Sequence, residues 1–133
     1  MAYTRFKPLT SAFTFNARLD VRDDVTDEIR LLFSNDEKAL VGVKNGLDLA
    51  IFTNRRILLI KKTGFNLGVE RFSIPYTCID TFSYIGRKSS STLKLTLSNA
   101  YPIKFSFRKD YDNVTITEIY KVMSNFTLNR RND

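Results

Sequence analysis

Histidine is missing from all 133 residues. That absence removes the commonest general base, the imidazole of a nucleophilic triad and the imidazole metal ligand. A single cysteine, Cys78, can form neither an internal disulfide nor a cysteine-rich zinc site, and no histidine stands by to activate it. No apolar run approaches the ~18 residues that a membrane-spanning helix needs. The opening "MAYTRFKPLT" has no apolar centre of the kind a signal peptide carries, so a cytoplasmic protein is expected. Repeats, low-complexity segments and the Gly-x-Ser-x-Gly nucleophile elbow are all missing, and Ser89, Ser90 and Ser91 read as a plain loop. The acidic stretch "DVRDDVTDE" lacks the spacing and the glycine of a calcium loop. The expectation is a protein without catalytic residues, cofactor or metal.

What is present is an ordinary globular composition, 43% hydrophobic and 26% charged, at the length of one domain. The formal charge of +7 is unevenly spread. Residues 38–109 hold thirteen Lys/Arg against three Asp/Glu, a balance of +10, whereas residues 1–37 and 110–133 are slightly acidic. A field of that sign draws anions to the middle of the chain without choosing among them.

That middle reads as seven strands. Glu37–Val43 is apolar and is followed by Lys44-Asn45-Gly46, whose Asn-Gly pair is the strongest short hairpin signal. Leu47–Thr53 places Leu47, Leu49 and Ile51 on one face, Asn54-Arg55 forms the next pivot, and Ile57–Ile60 is the third strand. After the loop "KKTGFNLG", Val69–Ile74 runs into Pro75, which cannot donate to a central ladder. Ile79–Ile85 precedes "GRKSSS". Leu93, Leu95 and Leu97 then oppose Lys94 and Thr96, and after "SNAYP" Tyr101, Ile103, Phe105 and Phe107 oppose Lys104 and Ser106. Strict period-two alternation implies one buried and one wet face, as in an antiparallel sandwich or barrel.

The period changes near the carboxyl end. Ile116, Ile119, Tyr120, Met123 and Phe126 fall on one helical stripe, with Thr115 and Glu118 at capping-box spacing or Asp112 capping a turn earlier. This amphipathic helix should cap the sheet. The N-terminal extension, residues 1–36, predicts a strand over 13–21, where Phe13, Phe15, Ala17, Leu19 and Val21 alternate with polar residues. A short helix over 24–33 follows, with Val25, Ile29, Leu32 and Phe33 on one edge and acids crowding its first turn. Residues 37–128 form the body and 129–133 a tail. The fold class is therefore mainly β, a seven-stranded antiparallel barrel or sandwich capped by one C-terminal helix.

The order of these elements resembles the bacterial pleckstrin-homology (PH-like) domain family over about residues 37–128. The residues that carry the likeness are Thr53-Asn54-Arg55-Arg56, matching a Thr-Asn-x-Arg hairpin, and Ser73-Ile74-Pro75-Tyr76 followed by Ile79, matching a Ser-Ile-Pro-Tyr strand end. The resemblance implies a non-catalytic binding or scaffold module that forms homo-oligomers, rings among them, and meets protein partners. The N-terminal residues depart from it.

Two sets of residues are candidates for contact. Lys44, Lys61 and Lys62 lie at the same end of the strand meander and could form a patch for anionic membrane surfaces or phosphate-bearing ligands. Arg55 and Arg56 sit at the opposite end, where Arg56 is expected to pair with Asp48. Nucleic-acid binding ranks below both, because the aromatics on alternating strands belong to the core, with Phe82 and Tyr84 the ones expected on the Asp80 face. The second set, Phe13, Phe15, Leu19 and Val21, would exceed what one small barrel needs to bury and is expected at a subunit contact, by strand addition or exchange.

Overall fold

The structure is a computed structural model that describes residues 12–23, 25–46, 48–62, 68–86, 90–98, 101–108 and 113–128. The strands are β1 (Ala12–Phe15), β2 (Ala17–Leu19), β3 (Ala39–Asn45), β4 (Asp48–Thr53), β5 (Arg56–Lys62), β6 (Val69–Pro75), β7 (Ile79–Gly86), β8 (Ser90–Leu97) and β9 (Pro102–Arg108). A single turn, α1 (Asp27–Arg30), follows β2, and the longer α2 (Asn113–Leu128) ends the described chain. One sheet has the order β1-β9-β8-β7 and the other the order β2-β3-β4-β5-β6. The seven strands expected from alternation are β3 to β9, and two more come from the N-terminal extension. Leu47, Asp112, the tail and the tips of the loops after β5, β7 and β8 lie outside the described residues.

Between the sheets, Val41, Val43, Phe52, Ile57, Leu59 and Ile74 of one face Leu93, Leu95, Ile103, Phe105 and Phe107 of the other. α2 closes this core with Ile116, Ile119 and Met123, while Phe126 stacks on Tyr76, ring centroids 5.5 Å apart. The helix starts before Thr115, so neither Thr115 nor its spacing to Glu118 forms a cap. Thr115 is buried and accepts a hydrogen bond from Arg18 at 2.8 Å.

The N-terminal segment is where structure and sequence reading part. The strand expected over 13–21 breaks at Asn16, whose N–H is drawn to the Lys44 carbonyl at 3.1 Å. Before the break, β1 runs parallel to β9 with Phe15 opposite Phe107; after it, β2 runs antiparallel to β3. The segment thus staples the two sheets together. Phe13 and Phe15 join a cluster with Phe105 and Phe107 at centroid distances of 5.7–6.0 Å. Leu19 crosses to the outer face of the second sheet and packs with Val25, Ile29, Ile51, Leu58 and Ile60. Val21 lies partly buried against that cluster. Placement of Phe13, Phe15, Leu19 and Val21 at a subunit contact is therefore corrected: their apolar surface is consumed within their own chain, because the barrel has an unfilled edge at β9 and an apolar outer face that they cover.

The helix expected over 24–33 shrinks to one turn, capped by Thr26, which accepts from the Ile29 N–H. It stops because the chain beyond is claimed elsewhere. The Leu32 carbonyl accepts from Arg56 at 2.7 Å, and the Glu37 carboxylate turns back to take the Ser34 N–H. Leu31 and Leu32 remain exposed.

Gly42 permits the close approach of β2. A Cβ there would stand 2.7 Å from Leu19 Cδ2 and 3.0 Å from its Cβ. Gly42→Ala is accordingly expected to cost about 1–3 kcal/mol through overpacking. Urea titration should show a lower midpoint with an unchanged slope.

Candidate functional site

The basic pivot at Thr53-Asn54-Arg55-Arg56 is built inward. Thr53 is fully buried, its hydroxyl accepting from the N–H groups of Arg55 and Arg56, both at 3.0 Å. The same hydroxyl donates to Glu37 at 2.6 Å. Asn54 receives the Lys38 N–H at 2.7 Å and donates its amide to the Asp36 carbonyl. Arg55 pairs with Asp36. Arg56 forks onto both Glu37 oxygens at 2.9 and 3.0 Å, and reaches Ser73 and the Leu32 carbonyl. The expected Arg56–Asp48 pair is not formed; Asp48 stands at the far end of β4 and pairs with Lys61 at 3.3 Å.

The Glu37 side chain is only 1% exposed. Burial pushes its carboxyl up, but donation from Arg56, Thr53 and the Ser34 N–H outweighs this and holds it below the ordinary value. Tyr76, whose hydroxyl donates to the Thr53 carbonyl at 2.7 Å, is raised by burial and then by the Glu37 charge. Each of these groups has a partner inside the fold. The pivot is a latch that binds the 31–38 segment to β4, β5 and β6, and its cations are spent there.

Lys44 and Lys61 do not come together. Lys44 stands in register with Leu49 of β4, Ile60 of β5 and Arg71 of β6, on the outer face of the second sheet. Lys61 sits one register position further on, on the opposite face with Asp48. Lys62 pairs in register with Val69, and its side chain lies outside the described residues. Arg71, absent from the sequence-based set, is a cation that stands on the same face as Lys44. Counting residues along paired strands could have found it.

Between these cations lies a groove of about 380 Å³, floored by Leu49 and Ile60 and walled by Leu19 and Ile29, with Val69 and Arg71 on the β6 side. Elsewhere, the acidic stretch is occupied by its own backbone: Asp20 accepts the N–H groups of Arg22 and Asp23, which lower its carboxyl. Among the described residues no trio of Cys, Asp or Glu is arranged to hold a metal, and no helix is long and apolar enough to cross a membrane. Cys78 is half-buried, its carbonyl taking the N–H and hydroxyl of Ser98.

Among the described residues four strands end the two sheets. β1 and β2 are consecutive and run into each other through Asn16, while β6 is joined only to β5 and β7 only to β8. A register shift between Ile79 and Thr81 turns the rest of β7 over. Phe82 and Tyr84 consequently lie opposite Leu95 and Leu93 on the core face rather than with Asp80. Phe82 meets Tyr120 of α2 edge-on at 5.3 Å, and Tyr84 meets the same ring at 6.2 Å. Tyr84, Ile85 and Tyr120 are nevertheless 40%, 36% and 39% exposed, because β7 is the last strand of its sheet.

Two sheets closed by one C-terminal helix, with the Thr-Asn-x-Arg pivot acting as a latch, agree with the family comparison: the family described as Bacterial PH domain matches residues 9–127. The chain belongs to that family. The match of this bacterial PH domain begins before Phe13 and so takes in β1 and β2 of the N-terminal extension. Among solved structures, the domain is similar to a DUF1696 family protein with a pleckstrin-homology domain from Shewanella loihica PV-4. That likeness has 26% identity over 84% of this chain and 96% of the other, with a TM-score of 0.72. A pleckstrin homology domain from Shewanella amazonensis SB2B shares its fold at 24% identity and a TM-score of 0.64, over 84% of this chain and 90% of that one. A PH domain containing protein from Exiguobacterium sibiricum 255-15 does so at 13% identity and a TM-score of 0.69, over 90% of this chain and 65% of that one. No curated protein matches the chain.

Proposed function

We propose that this bacterial PH domain is a non-catalytic cytoplasmic scaffold that associates with copies of itself and takes up protein partners by strand addition at the β7 edge. The observation that carries the reading is the chemistry of that edge. Soluble proteins blunt an unpaired strand with charge, proline or a covering segment. β6 carries Glu70, Arg71 and the terminal Pro75, whereas β7 has Asp80 as its only charged residue across Ile79–Gly86. Beyond Asp80 the edge offers unpaired backbone groups flanked by Tyr84, Ile85 and Tyr120. Aromatic residues that keep one polar end are the type enriched at protein contacts. An incoming strand would gain main-chain hydrogen bonds from β7 and side-chain contacts from Tyr120 on α2. A second copy can supply that strand through its own β7, the same edge serving both partners in a two-fold contact.

Support for the alternative, recruitment to anionic surfaces, is thinner. Lys61 is paired with Asp48, Arg55 with Asp36 and Arg56 with Glu37, so these hairpin-end cations are engaged within the fold rather than gathered into one patch.

Light scattering on the purified chain should give a mass above that of one chain. The Tyr84→Lys, Ile85→Lys double variant is expected to weaken association at least about tenfold, roughly the effect of losing 1.4 kcal/mol, with an unchanged far-ultraviolet spectrum. A wild-type chain that stays monomeric at high micromolar concentration, or a variant with unaltered mass, overturns the reading.

A further inference from the structure

The outer face of an antiparallel sheet is normally its wet face. Here it carries a second apolar cluster, roofed only in part by the single turn α1. The uncovered remainder is the groove of about 380 Å³, within the usual range of ligand pockets, ~300–1,000 Å³. Its floor is one cross-strand row: Lys44, Leu49, Ile60 and Arg71 stand directly opposite one another on β3, β4, β5 and β6. Strands lie ~4.8 Å apart, so the two cations flank the apolar pair across roughly 14 Å. Glu28 and Thr26 close the helix side, and with two cations against one carboxylate the rim stays net positive. Arg71 is exposed, and among the described residues its side chain has no hydrogen-bond or ion-pair partner.

The geometry points to a binding site for a small single-chain amphiphile with one anionic head, of the medium-chain carboxylate class. The tail lies on Leu49 and Ile60 beneath Leu19 and Ile29, and the head meets the guanidinium of Arg71, whose planar fork suits a carboxylate. At ~30 Å³ per water-sized group the groove admits about a dozen heavy atoms, which matches a chain of about ten carbons and excludes a two-chain lipid. The site lies on a different sheet from the β7 edge and does not depend on the self-association reading.

The test uses the full chain with methyl-labelled leucine and isoleucine, titrated with decanoate below its micelle concentration. Saturable shifts are expected at the Leu49 and Ile60 methyls, while decanol, which has the tail without the charge, binds more weakly. Arg71→Gln, a change at an exposed residue, should weaken decanoate about threefold to fivefold, the scale of one solvent-accessible ion pair, and Arg71→Lys should recover part of the loss. Absence of saturable shifts at these methyls, equal affinity for decanol, or an Arg71→Gln variant that binds as well as the parent each overturns the assignment. So does binding seen only with vesicles of anionic lipid, which would make the face a membrane contact.

Discussion

Phe15→Ala is expected to lower the free energy of unfolding by about 3–5 kcal/mol, the range for removing a large buried aromatic. Phe15 has 0% exposure and meets Phe13, Phe105 and Phe107, with ring centroids about 6 Å away. The loss would be felt on both sheets, since β1 and β2 are joined only by Asn16 and bridge them. Cutting the chain to begin at Asp20 is expected to do more: it removes Phe13, Phe15 and Leu19 from two cores and bares the β9 edge. A cooperative thermal transition in the truncated chain, with its midpoint within a few degrees of the parent, would show that these residues are not part of the fold's own core.

The second large effect belongs to the latch. Glu37→Ala leaves Arg56 without its carboxylate and takes the acceptor from the Thr53 hydroxyl and the Ser34 N–H. Breaking a buried pair from one side costs about 3–5 kcal/mol, and the lower end applies because Arg56 is partly open to solvent. The midpoint of thermal unfolding should fall by roughly 10 °C in a chain of this size. The pH dependence has a definite sign. Because Glu37 titrates below its ordinary value of 4.5 when folded, its contribution is complete above that value and drains away as pH falls through the lower folded value. Stability between pH 5 and pH 3 should therefore fall more steeply in the parent than in Glu37→Gln, with urea midpoints as the measure. Parallel curves for the two proteins would mean that the carboxylate is not held by these donors.

The strands from β3 to β9 were legible because each announces itself locally. The side chains of β8 and β9 alternate in period two, Ile57–Ile60 is a continuous apolar run, Asn45-Gly46 marks one hairpin, and Pro75 ends β6. The helical stripe of Ile116, Ile119 and Met123 was equally plain, since three buried positions recur at helical spacing. What escaped was information that lives between segments. The sequence offers Asp48 as the nearest acid to Arg56, yet at ~3.4 Å per residue Asp48 lies more than about 15 Å down the ladder, and Glu37 arrives from a loop that only the fold brings near. The faces of Phe82 and Tyr84 were inverted by one extra residue near Asp80, which no alternation pattern reveals. The Lys44–Arg71 row depends on the register of four strands at once, so neither residue is conspicuous alone. Phe13, Phe15 and Leu19 were recognised as apolar surface in need of cover, but the break at Asn16 that sends them to two different cores is a tertiary choice.

The parallel pairing of β1 with β9 has a further consequence for how the chain comes to be folded. On a ribosome, Phe13 and Phe15 emerge early, while their mates Phe105 and Phe107 are among the last residues of the barrel to appear. The aromatic seam cannot be zipped until β9 has been made, and joining chain regions so remote is entropically slow. For that interval the domain's first strand stays sticky, so the protein's yield in the cell should depend on whatever shields nascent chains.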